Sequence, residues 1–132
     1  MQNYSVNMFL KKKTKKELIF VNNLDLNQIE KLNKLKNLKN SLFIIVSKSG
    51  NTLEVLTLIN SLKNKANFNK DNSIIITEKK KNFLSSFAKK FNIKIIYHRN
   101  YIGGRYSVFS ETALIPSYLM GLNNKKFKKN IL

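Results

Sequence analysis

Residues 42–62 read LFIIVSKSGNTLEVLTLINSL. The first five form an unbroken apolar run, the last ten bring Leu53, Leu56, Ile59 and Leu62 round at intervals of three, and SKSGNT (47–52) separates the two. A short run rich in β-branched residues, without alternation, fits a strand covered on both faces. Apolar residues three or four apart fit one side of a helix. The stretch predicts strand, polar loop, helix.

The same pattern recurs along the chain. LIFV (18–21), SIIIT (73–77) and IKIIY (93–97) are further strand candidates. Leu26, Ile29, Leu32, Leu35 and Leu38 mark a helix after the first of them, and Phe83, Leu84, Phe87 and Phe91 mark another before the last. Strands and helices alternate as βαβαβαβ, followed by a final helix from about Ser110 to Leu122. Such alternation implies an α/β fold, a three-layer sandwich with a parallel sheet and right-handed crossovers. With 132 residues and no internal repeat, residues 1–132 are expected to form a single domain.

Composition narrows the function. Without cysteine and with a single histidine, His98, there is neither a disulfide framework nor a zinc ligand set, and no metal is expected. No run of eighteen apolar residues is present and Met1–Lys13 lacks the order of a secretory signal, so no membrane partner and a cytoplasmic location are expected. The formal charge is +18, which favours contact with polyanions. Yet Arg99 and Arg105 are the only arginines, the lysines are scattered, and most aromatic residues lie inside apolar runs rather than between basic ones. No specific nucleic-acid partner is expected, and any such binding should be sequence-independent and lost with added salt. The basic stretches KKKTKK (11–16) and NNKKFKKN (123–130) read as solvated surface.

Two segments carry chemistry. In a parallel sheet, ligands bind beyond the carboxyl ends of the strands, where helix N-termini point free backbone N–H groups. SKSGNT lies at that edge. Ser47, Ser49 and Thr52 each offer a hydroxyl donor, and Gly50 lets the backbone approach a bound anion closely. The spacing is that of neither a P-loop nor a dinucleotide fingerprint. A purely structural alternative is a strand-to-helix turn with Asn51 as N-cap and Glu54 closing a capping box. The second segment is IGGRYSVFS (102–110), where Gly103 and Gly104 free the backbone so that Arg105 can be presented as a fixed cationic donor. Its structural alternative is a tight turn whose arginine makes a surface ion pair.

Among the acids, Glu17, Asp25, Glu30, Asp71 and Glu78 are assigned to linkers or helix faces. Glu54 falls in the first helical turn, and Glu111 opens the last helix and stabilises its start. His98 is read as a solvated loop residue without a role.

SKSGNTLE (47–54) resembles the phosphate loop of the sugar isomerase (SIS) domain superfamily, and IGGRYSVFSETALIP (102–116) resembles the signature of the glucose-6-phosphate isomerase family. Asn100 and FVNNLD (20–25) fit the same family, so the resemblance covers about residues 18 to 122. It implies interconversion of glucose 6-phosphate and fructose 6-phosphate in glycolysis and gluconeogenesis, with neither metal nor organic cofactor. It further implies that Ser47, Ser49 and Thr52 surround the sugar phosphate, with Lys48, through its backbone N–H, Gly50 and Asn51 completing the loop. Gly103 and Gly104 line the substrate, and Arg105 is the catalytic arginine that steadies the enediolate. Full-length members are expected to be homodimers.

The chain departs from the signature at Glu111, Thr112 and Ala113, which bears on helix packing. In the family, the glutamate base, the ring-opening histidine and a C-terminal lysine lie beyond the segment matched here. This chain is therefore expected to be a partial SIS domain, poorly stable and inactive alone. The competing reading is a noncatalytic SIS module that binds a sugar phosphate and regulates a partner.

Overall fold

The computed structural model of the protein describes residues 19–21, 24–35, 38–103, 106–107 and 110–121. Val21–Tyr101 forms one compact unit, and the described residues before and after it belong to a second.

In the larger unit, Asp25 caps helix α1 (Leu26–Lys34), its carboxylate accepting the Asn27 N–H at 3.0 Å. The predicted helix through Leu38 stops early. A constant spacing of three steps back by about 60° per repeat around an α-helix, so five leucine and isoleucine positions cannot share one face. The chain leaves the helix at Leu35 and resumes as a 3-10 turn, Leu38–Asn40, which buries Leu38.

Three of the expected strands form: β1 (Phe43–Val46), β2 (Ser73–Glu78) and β3 (Lys94–His98). They make a parallel sheet in the order β1-β2-β3, with Ile45, Ile75 and Ile95 side by side in register. Neighbouring residues of a strand face opposite sides, and Ile75 and Ile76 are 0% and 1% exposed, so both faces of β2 are covered. The fourth expected strand, at 18–21, is corrected: Ile19, Phe20 and Val21 are described and form no strand. Val21 instead packs against the core without joining a ladder.

Helix α2 (Leu53–Ala66) links β1 to β2 and buries Ile59, Leu62 and Ala66. It ends at Asn67, which adopts the left-handed conformation (φ 48°), and the Asn72 amide ties off the Ala66 carbonyl at 2.9 Å. Helix α3 (Phe83–Lys90) links β2 to β3, packs on both strands, and buries Leu84 and Ala88. These side chains join Leu32, Phe68, Ile75 and Ile93 in one core.

In the second unit, Ser110 caps helix α4 (Glu111–Leu119), and its hydroxyl and that of Thr112 both donate to the Ser107 carbonyl, at 2.7 and 2.9 Å. Glu111 stands in the first turn, as expected. The segment departing from the family signature is therefore helical, even with Pro116 inside it. Among the described residues no helix is long and apolar enough to cross a membrane.

Candidate functional site

Three loops leave the carboxyl ends of the strands, at 47–52, 79–82 and 99–101. The first continues β1 by one bond, Ser47 N–H to the Ile76 carbonyl at 3.1 Å, and then turns at Gly50, whose φ is +70°. Only glycine adopts that conformation without steric cost. The turn folds Thr52 back over the serines. Ser47 Oγ and Thr52 Oγ1 share a hydrogen bond of 2.6 Å, and Ser49 Oγ lies 3.3 Å from the same Thr52 oxygen. Ser47 Oγ also accepts the Gly50 N–H (3.1 Å), and Ser49 Oγ the Asn51 N–H (3.2 Å). The three hydroxyls singled out by sequence thus converge on one point.

That point is the start of α2. Thr52 is the N-cap residue but makes no side-chain bond to the first turn, its hydroxyl being turned to the serines. Among the described residues nothing accepts the N–H groups of Leu53, Glu54 or Val55. The positive end of the helix and the three hydroxyls, at present hydrogen-bonded to one another, therefore stand together, a combination suited to an oxyanion.

Asn51 departs from the purely structural alternative. It does not cap α2, and no capping box with Glu54 forms; its Oδ1 accepts the Phe83 N–H of α3 at 2.8 Å. The Lys48 ammonium points to the ends of the neighbouring strands, donating to the Asn100 carbonyl (3.1 Å) and pairing with Glu78 (3.3 Å).

Glu78 is corrected from linker to strand: it closes β2, with Lys80 at 2.8 Å on its other oxygen. The hydrogen bond from Lys80 holds this carboxyl below its usual range; partial burial opposes that and the bond from Lys48 adds to it. A depressed native pKa stabilises the fold above the unfolded-state value, near pH 4.3. That contribution disappears as pH falls through the lowered native value. Acid titrations of stability should accordingly show wild type exceeding Glu78→Gln by a constant margin near neutrality and converging with it in acid. A margin that persists below the native pKa would mean that the ionised carboxylate is not the source.

His98 ends β3 and is 4% exposed, so it is a buried strand residue rather than a solvated loop one. Gly103 accepts the Tyr106 N–H at 2.9 Å, and a Cβ placed on it would lie 3.2 Å from the Tyr106 ring. Gly104 and Arg105 lie outside the described residues, as do Glu17 and both basic stretches. Among the described residues no group of three or more His, Asp or Glu side chains could hold a metal ion. Clefts of about 360 and 320 Å³ open elsewhere in this unit, beside Asn40 and Asn72 and between α2 and α3, and no residue of 47–52 lines either.

Sequence reasoning passed over Asn82 and Thr77. Asn82 caps α3 in a reciprocal box with Ser85, and the signal for it was present: an Asn directly before an apolar helix face, with a hydroxyl three residues on. Thr77 is fully buried near the end of β2, where its hydroxyl donates to the Lys48 carbonyl at 3.3 Å.

Comparison with known proteins agrees with the fold. A phosphoglucose isomerase family profile matches residues 4–129. Glucose-6-phosphate isomerase of Campylobacter jejuni is 31% identical over 123 residues, covering 89% of this chain and 30% of that protein. The Methanocaldococcus jannaschii glucose-6-phosphate isomerase is 36% identical over 110 residues, covering 81% and 27% respectively. The crystal structure of a hypothetical protein from Thermus thermophilus superimposes with a TM-score of 0.72 at 24% identity, over 84% of this chain and 28% of that one; this similarity bears on the fold alone. The chain spans less than a third of the length of these relatives. Matched along nearly its whole length, it belongs to the phosphoglucose isomerase family, a family of sugar-phosphate isomerases.

Proposed function

We propose that this chain supplies the sugar-phosphate-binding part of a cytoplasmic glucose-6-phosphate isomerase, acting on glucose 6-phosphate and fructose 6-phosphate in glycolysis and gluconeogenesis. The observation that carries the reading is the convergence of Ser47, Ser49 and Thr52 at a helix start whose own N–H groups are open. In this reading the three hydroxyls and the first-turn N–H groups of α2 hold the 6-phosphate. Anchoring that end of the sugar leaves C1 and C2 to groups elsewhere, so binding energy from a non-reacting part of the substrate orients the reacting one. Gly103 and Gly104 shape the approach, and Arg105 steadies the negative charge of the enediolate with its fixed fork of donors. The carboxylate base and ring-opening group are supplied from the part of the enzyme outside this chain, which is inactive alone. The domain of which this chain forms a part is an SIS-type three-layer sandwich, and the full-length enzyme is a homodimer.

Calorimetric titration of the 132-residue chain with fructose 6-phosphate tests the site. Each hydroxyl donor to a charged oxygen contributes about 1 kcal/mol or more, so replacing Ser47, Ser49 and Thr52 together by alanine should weaken binding by about a hundredfold. Equal affinity in the triple variant would remove these residues from the site.

A further inference from the structure

All four N–H groups that open α3 have acceptors, and two of those acceptors belong to the hydroxyl loop. Phe83 N–H donates to Asn51 Oδ1 (2.8 Å) and Leu84 N–H to the Gly50 carbonyl (3.1 Å), whereas Ser85 and Ser86 N–H return to Asn82 itself, at 2.8 and 3.2 Å. The Asn82 side chain, 6% exposed, has its other end on the loop's support: Nδ2 donates to Thr77 Oγ1 (3.2 Å), which in turn donates to the Lys48 carbonyl (3.3 Å). It also lies directly beneath Gly50, where an added Cβ would come within 2.2–2.4 Å of its terminal atoms. Loop 47–52 is thus fastened at Lys48, Gly50 and Asn51 to the start of a helix that is not its own.

We infer that Asn82 is a positioning residue for the hydroxyl loop: together with Asn51 it clasps the loop to the start of α3 and so fixes where Ser47, Ser49 and Thr52 present their hydroxyls. The inference rests on the sugar-phosphate reading for its ligand, though not for its geometry. A plain helix cap would be served equally by any good N-cap residue. The clasp requires an asparagine, because serine cannot reach Thr77 or fill the space under Gly50. Hydroxyls held in place before the anion arrives lose less freedom on binding it.

The test is Asn82→Ser in the 132-residue chain, followed by calorimetry with fructose 6-phosphate and by amide hydrogen exchange. Serine keeps the α3 cap, so exchange deep in α3 should match wild type. The Gly50 and Leu84 amides should exchange about tenfold faster, and affinity should fall about tenfold, the equivalent of a lost buried hydrogen bond. Asn51→Ala, an exposed change that spares Asn82, should speed the Gly50 amide in the same direction. Asn72→Ala, whose amide ties carbonyls at the far end of α2, should lower stability while leaving loop exchange and affinity unchanged. Wild-type exchange at Gly50 in both Asn82→Ser and Asn51→Ala would overturn the clasp, whatever the affinity. Faster loop exchange in a chain that binds no fructose 6-phosphate would uphold the clasp and overturn the sugar-phosphate reading instead.

Discussion

Gly50→Ala is expected to cost the fold about 2–5 kcal/mol, the sum of a left-handed backbone position and an overpacked contact. The backbone part follows from φ +70°, where an L side chain meets the following carbonyl. The steric part follows from Asn82: the new Cβ would lie 2.2 Å from its Cγ, 2.3 Å from Oδ1 and 2.4 Å from Nδ2. Asn82 cannot swing away cheaply, since it is buried and both ends of its amide are hydrogen-bonded. Gly121 provides the control. Its φ is +81° but nothing lies within 4 Å of its added Cβ, so Gly121→Ala should cost only the backbone part, about 1–2 kcal/mol. Urea unfolding of both variants separates the two contributions. The double variant Gly50→Ala/Asn82→Gly should recover much of the steric part. If Gly50→Ala cost no more than Gly121→Ala, the close packing of the loop on α3 would be disproved.

The sequence was most legible where burial alone decides. β2 reads as an unbroken apolar run because both of its faces are covered, and Ile75 and Ile76 are buried accordingly. The run at 18–21 has the same character, yet Ile19, Phe20 and Val21 form no strand, because hydrophobicity reports packing and not pairing. Val21 satisfies its apolar character against the core with its backbone outside the ladder. The period of three at 26–38 predicts helix throughout; the geometry instead divides it between α1 and a 3-10 turn. In the candidate site, the converging hydroxyls could be foreseen, since they are close in sequence and joined by one turn. The partners of Asn51 and Lys48 could not. Asn51 looks like a local cap from its neighbours, and the donor it accepts is 32 residues away. Lys48 is expected to contribute through its backbone N–H, which leaves its ammonium without a foreseeable partner, and that ammonium goes to Glu78 and Asn100, each brought to it by strand order.

The loop is only as well placed as the sheet beneath it, and this gives Ile75→Ala an effect larger than its distance from the site suggests. Ile75 stands in the middle strand with Ile45 and Ile95 beside it in register, fully buried in the core with Leu84. Truncating a fully buried isoleucine to alanine forfeits its transfer energy and leaves a cavity, about 4 kcal/mol at a site where neighbours cannot collapse. The neighbours here are backbone-paired strands, which cannot close the gap without breaking ladder bonds. Domains of this size are stable by only about 5–15 kcal/mol, so the variant should be at the edge of folding. The next residues along β2 bear the loop directly: the Ile76 carbonyl accepts from Ser47, and Thr77 donates to Lys48. Loosening the strand therefore loosens the hydroxyl cluster, and fructose 6-phosphate binding should fall with stability. Tyr97→Ala, at a β3 position 49% exposed, is the comparison, with an expected cost within about 1 kcal/mol. Urea titration of both variants, with the slope of the transition held common, measures the difference. A loss of less than about 1 kcal/mol in Ile75→Ala would show that the Ile45–Ile75–Ile95 row is not the centre of the core.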